Sequence, residues 1–177
     1  MILKGSDIIG LKIISMKENK EIGQIKDIIY DPKKNKVIAL LVSEGDVLTE
    51  PKLIPFSEIK EMTKETILVK SSQSLKQSSK VVKPISTSDH ADAYLRGTII
   101  ITEEGKELGK ENDIIFDTKS GQVQQFEVRQ GNITHRVKIA NIITSSETAT
   151  IIKPGEPKQD SEENSGIIQK FKHLISQ

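Results

Sequence analysis

Lys20-Glu21-Ile22-Gly23, followed by Asp27-Ile28-Ile29-Tyr30-Asp31 and Val37, is answered later in the chain by Lys106-Glu107-Leu108-Gly109, Asp113-Ile114-Ile115-Phe116-Asp117 and Val123. Every residue of the second run lies 86 positions after its counterpart. The correspondence continues from Leu40 and Val42 to Phe126 and Val128, and Gly45 falls on Gly131. Upstream, Gly10 matches Gly97 after a one-residue gap. Downstream, Ile59 is matched to Ile143, and Thr66-Ile67-Leu68 to Thr150-Ile151-Ile152, after a two-residue deletion. Matched Gly, Asp, Ile and Val positions at one offset mark an internal repeat, and a unit of this length is a small domain rather than a solenoid repeat.

The repeat divides the 177 residues into a first domain over 1–72, a Ser-rich linker over 73–89, a second domain over 90–154 and a tail over 155–177. Ser71-Ser72-Gln73-Ser74-Leu75-Lys76-Gln77-Ser78-Ser79 has little to bury and is expected to be an exposed connector. Val81, Val82 and Ile85 are expected to form a short extension packed on one domain. The sequence leaves two arrangements open, pseudo-symmetric packing of the copies or independent beads.

Within each copy the apolar residues fall in short Ile- and Val-rich runs. Leu11–Ile14, Gln24–Tyr30, Val37–Val42 and Ile67–Val69 read as strands in the first copy. Thr98–Thr102, Lys110–Phe116, Val123–Arg129, Ile133–Ile139 and Thr150–Ile152 read as strands in the second. Ile133, His135, Val137 and Ile139 would share one face. Asp31-Pro32-Lys33-Lys34-Asn35 and Asp117-Thr118-Lys119-Ser120-Gly121 are equivalent turns. In each, the Asp accepts from turn amides and the fifth residue tolerates positive φ. Many short antiparallel strands favour a barrel or a sandwich, and at this domain size a closed barrel is attractive because it removes exposed edges, so the expected fold is all-β, two tandem small barrels.

Gly-x-x-x-Asp-Ile-Ile-[Tyr/Phe]-Asp, then Asn35 or Gly121 and Val37 or Val123, resembles the PRC-barrel. That small β-barrel is named for the cytoplasmic H subunit of photosynthetic reaction centres, and a related barrel forms the C-terminal part of a ribosome maturation factor. Leu53-Ile54-Pro55-Phe56-Ser57-Glu58-Ile59 is similar to the family's typical ending. The second copy departs there, since Val137-Lys138-Ile139-Ala140-Asn141-Ile142 has neither Pro nor aromatic residue. The resemblance implies the PRC fold and a tendency toward protein–protein binding, and no fixed reaction.

Composition narrows function. The chain is 35% hydrophobic, 29% charged and 3% aromatic, with a net charge of +1. Direct nucleic-acid binding is not expected from so small a basic excess and so few stacking side chains. The chain has no Cys, so it has no thiolate metal site, disulfide or cysteine nucleophile. No cofactor is expected. The first residues lack the apolar core of a signal peptide. No run approaches the roughly 20 apolar residues of a spanning helix, and a soluble cytoplasmic protein is expected.

Asp27, Asp31, Asp113 and Asp117 are the most repeated polar residues. They are expected to bond turns and strand edges, being too sparse for a calcium loop. Gly105-Lys106-Glu107-Leu108-Gly109-Lys110 is one residue short of a phosphate loop, and Glu111 stands where Ser or Thr would hold magnesium, so a hairpin turn is expected instead. His90, His135 and His173 have no metal-ligand spacing, and His135 is expected at a core edge with a satisfied bond. No nucleophile elbow or zincin motif occurs, so no catalytic residue is assigned.

The tail opens with a polar, mainly acidic tether and ends in an amphipathic helix of Ile167, Ile168, Phe171, Leu174 and Ile175, with Ser165 at its start. So short a helix needs a surface: its own barrels, a partner's groove or a membrane interface. These five residues are the candidate partner-binding site. The sequence thus favours a non-catalytic adaptor or assembly protein with a protein partner. A ribosome-associated factor and a small-ligand sensor are the alternatives.

Overall fold

The computed structural model describes residues 1–31, 34–43, 52–77, 98–145, 148–153 and 158–159. The first copy begins with β1 (Ile2–Lys4), a helical turn α1 (Gly5–Ile8), β2 (Lys12–Ser15), β3 (Lys20–Asp31) and β4 (Lys36–Ser43). It continues with β5 (Lys52–Pro55), a 3-10 turn (Phe56–Glu58), β6 (Ile59–Met62), β7 (Thr66–Val69), a second 3-10 turn (Ser72–Ser74) and β8 (Lys76–Gln77). The second copy contains β9 (Ile99–Thr102), β10 (Glu107–Asp117), β11 (Val123–Gln130) and β12 (Ile133–Lys138). A third 3-10 turn (Ile139–Asn141), β13 (Ile142–Ser145), β14 (Ala149–Ile152) and β15 (Lys158–Gln159) complete it.

The two sheets have the same strand order. One runs β6-β7-β2-β3-β4-β5-β8 and the other β13-β14-β9-β10-β11-β12-β15, each curled into a half-barrel. In both, the pair closing the curl is parallel, β2 with β7 and β9 with β14, while the remaining pairs are antiparallel. Alternation explains the burial. In β2 and β7 the inward residues Ile13, Ile67 and Val69 are fully covered, and Ile100 and Ile152 do the same in the second copy. The ladders also place the repeat's bulges. Register shifts fall at Ile25/Asp27 and Ile29/Tyr30 in β3, and at Glu111/Asp113 and Ile115/Phe116 in β10, which are the same positions 86 residues on. Each bulge sharpens the bend that curls a long strand around its core.

The N-terminal strand crosses over. β1 opens the first copy in sequence yet pairs with β10 of the second, Leu3 against Phe116. It buries Leu3, and α1 behind it buries Ile8, both within one core cluster that spans the two copies. The copies are therefore welded rather than strung on a linker.

Three expectations change. Ser71 and Ser74 are buried, not exposed, because the residues read as connector pack onto the first barrel. Ser72 donates its amide and hydroxyl to Glu18, Ser74 donates to Glu58, and β8 then pairs with β5. The downstream repeat register is one residue tighter than the sequence match. The 3-10 turns set Ile59 against Ile142, and the parallel ladders set Thr66 against Ala149, so Ile67 corresponds to Thr150. Ile133 is 43% exposed at the start of β12, and Ile139 leaves the strand for a 3-10 turn. The expected all-β fold of two small barrels stands, each a curled sheet whose described strands end at β6 and β8 in one copy and at β13 and β15 in the other. Val81, Val82, Ile85 and the helix of residues 167–175 lie outside the described residues.

Candidate functional site

The turn residues of the two copies meet on a local two-fold axis. Lys36 and Gln122, equivalent residues, form an antiparallel bridge with one another. Around it the bonding is reciprocal: Val37 donates its amide to Gly121 O at 2.8 Å, and Val123 donates to Asn35 O at 2.9 Å. Gln122 Nε2 adds a bond to Asn35 O at 2.8 Å. Both central residues hold positive φ, Asn35 at 50° and Gly121 at 73°. Gly121 is required by contact as well, because a Cβ there would lie 2.9 Å from Val37 O and 3.0 Å from Phe56 Cε1. Asn35 uses its side chain instead, accepting from the Tyr30 hydroxyl at 2.6 Å.

Aromatic rings cross the same junction. Tyr30 meets Phe126 edge-on at 6.0 Å, and Phe56 meets Phe116 at 6.4 Å. The Pro55-Phe56 ending thus has a role in joining the copies. Its counterpart Ile139, partly buried against the same core, explains why the second copy manages without an aromatic residue there.

The repeated aspartates are local structural groups. Asp27 and Asp113 each accept from the amide of the next residue at 2.8 Å, capping the bulge. Asp31 accepts from Lys34 N. Asp117 accepts from the amides of Lys119 and Ser120, the Ser120 hydroxyl and the N-terminal ammonium. These bonds, those from Ser120 foremost, hold its carboxyl down at about 2. Asp113 also receives the Ser6 amide, anchoring α1. The Gly105–Lys110 segment is the β9–β10 hairpin, closed by Gly105 N to Thr102 O and Thr102 N to Lys106 O. Among the described residues, no three His, Asp or Glu side chains gather as a metal site would need.

The unexpected group is Glu111. It lies 86 residues after Ile25, and the ladder confirms the equivalence: Ile25 N bonds Leu11 O, and Glu111 N bonds Thr98 O. Ile25 is 2% exposed and Glu111 3%. Among the described residues, neither carboxyl oxygen of Glu111 has a hydrogen-bond partner. Burial, reinforced by the charge of Asp113, pushes its carboxyl up to about 9. Across the sheet Glu111 pairs with Val128, and Val128 with His135. His135 Nδ1 is likewise buried without a partner, so the bond expected for it is not made. On the other face Glu127 is satisfied, by Lys4 Nζ at 2.6 Å and Asn112 Nδ2 at 3.3 Å. His90, His173, Ile167, Ile168, Phe171, Leu174 and Ile175 lie outside the described residues.

A family model described as the PRC-barrel domain matches the chain twice, over residues 2–76 and 89–153. The chain belongs to the PRC-barrel family. Its two matches bracket the two curled sheets, and the first starts at the β1 strand that crosses to the other copy. Comparison with curated proteins gives no match. The PRC-barrel residues that carried the resemblance, from Asp27 to Asp31 and from Asp113 to Asp117, are thus the bulge and turn positions of the fold. Glu111 is set apart from that pattern by its own repeat partner. The signal that finds it is a charged residue standing where the other copy has an isoleucine.

Proposed function

We propose that this tandem PRC-barrel protein is a non-catalytic adaptor that holds a protein partner on its outer sheet surfaces and works in the cytoplasm. The observation that carries this reading is the reciprocal junction at Lys36 and Gln122. With one core across both copies, it fixes two outer sheets in a set relation, which is what a docking platform needs. Apolar side chains stand outward on the second barrel: Ile151 is 37% exposed and Ile143 45% exposed, with Ile101 beside Ile151 in register. Small apolar patches of this kind serve as contact points. No described helix is long and apolar enough to cross a membrane.

The test is affinity capture from native lysate with three proteins: the full chain, a chain ending at Gly155, and an Ile143→Lys/Ile151→Lys variant with an unchanged melting temperature. The adaptor reading expects one identified protein, recovered in stoichiometric amount and lost with the Lys variant or with the tail. Capture of nothing by the full chain would overturn it.

A further inference from the structure

An ionised carboxylate in an apolar interior, with no cation or donor to meet it, is strongly disfavoured. Glu111 is in that position. It replaces the core residue Ile25, and both its oxygens lack partners. The titratable groups that face it offer no relief. Asp113 on its own strand is acidic. Tyr30, from the first barrel, spends its hydroxyl on Asn35 and is itself held un-ionised, chiefly by burial. His135 stands two strands away across Val128, a separation of about 10 Å between backbones. β9 contributes Thr98 O and the apolar Ile100.

The way out for such a carboxyl is toward water, and the sheet has a weak side. β12 carries His135 only half-buried, and its outer neighbour β15 is a two-residue strand. Short edge pairings of this kind open first in a native protein.

We propose that Glu111 makes the β10–β11–β12 sheet of the second barrel a proton-gated element, closed while the carboxyl holds its proton and opened along the Glu111–Val128–His135 row when the proton leaves. The first barrel, with Ile25 at the same place, has no such gate. Opening returns the carboxyl to water and to its ordinary titration range. The opening constant therefore rises about tenfold per pH unit between that range and the raised value of the closed form.

The test is amide hydrogen exchange by NMR from pH 5.5 to 8, corrected for intrinsic exchange, on the full chain and on Glu111→Gln and Glu111→Ile. The gate predicts a roughly 100-fold rise in the opening constant between pH 6 and 8 at Val128, His135 and Val137. The equivalent amides Val42, Lys52 and Ile54 should stay flat, and both variants should lose the rise. A flat wild-type profile would overturn the proposal, as would a rise that persists in either variant. A rise shared equally by both barrels would also overturn it, because ionisation would then accompany global unfolding and no local gate.

Discussion

Where the first barrel buries aliphatic carbon, the second repeatedly buries oxygen. Ile25 is answered by Glu111, Ile67 by Thr150 and the half-buried Leu11 by Thr98. On the opposite face a small cluster of Ile29, Ala39 and Leu53, flanked by Ile38 and Leu41, has Ile115, Gln125, Arg136, Gln124 and Glu127 as its counterparts. The backbone tolerates both sets because ladders, bulges and turns are made by main-chain groups that the substitutions leave alone. Two of the buried polar replacements are satisfied: Thr150 shares a bond with Ser145 at 2.8 Å, and Glu127 has Lys4 and Asn112. Glu111 is not.

Exchanging the differing residues breaks the comparison most sharply. Ile25→Glu places an unpaired carboxyl in the better-packed barrel and loses the burial of Ile25. Urea unfolding at pH 7 should show a loss of about 5 kcal/mol. The opposite exchange, Glu111→Ile, should gain about 5 kcal/mol at pH 7, about 3 of it from the ionisation that is removed and the rest from the aliphatic surface buried. The sign follows from the titration. The folded form keeps the proton up to about 9 while the unfolded form releases it from about 4.5, so stability falls as pH rises between those values. The gain should therefore shrink by about 3 kcal/mol toward pH 4.5, leaving the part contributed by aliphatic burial, and a gain that ignores pH would refute the buried-carboxyl account.

Leu3→Ala sharpens the comparison in another way. It should cost about 2–3 kcal/mol, as truncations of buried leucine do, and exchange protection should fall first in β10 of the second barrel. Protection lost first in β2 and β3 would contradict the crossed strand. At the axis, Gly121→Ala should cost about 2 kcal/mol from positive φ and the close Val37 and Phe56 atoms, whereas Asn35→Gly should cost under about 1 kcal/mol, measured by thermal melting. Lys4→Met should also be mild, about 1 kcal/mol, because Lys4 is partly solvated and Asn112 still serves Glu127.

Much of this architecture is legible in the residues. The 86-residue offset finds the two copies, and Val37, Val123 and the Asp-opened turns mark the strands and corners correctly, because local turn chemistry and alternation decide them. The crossing of β1 is not legible. Ile2-Leu3-Lys4 is too short to show a period, and its partner strand lies more than 100 residues away. The serines of this stretch misled because their placement depends on distant acceptors, Glu18 for Ser72 and Glu58 for Ser74. Glu111 was within reach, since subtracting the offset lands on Ile25. A carboxylate at an aliphatic core position is visible in the amino-acid order itself. Whether it finds a partner depends on which strands the fold lays beside it.

The central claim is that the duplicated halves are one cooperative unit, joined by the crossed β1 strand and the Lys36–Gln122 axis. Differential scanning calorimetry at pH 6 compares the measured unfolding enthalpy with the van't Hoff enthalpy of the same transition. The account predicts a single transition with a ratio of about 1. Two resolved transitions, or a ratio of about 2, would mean that the barrels unfold independently and would contradict it.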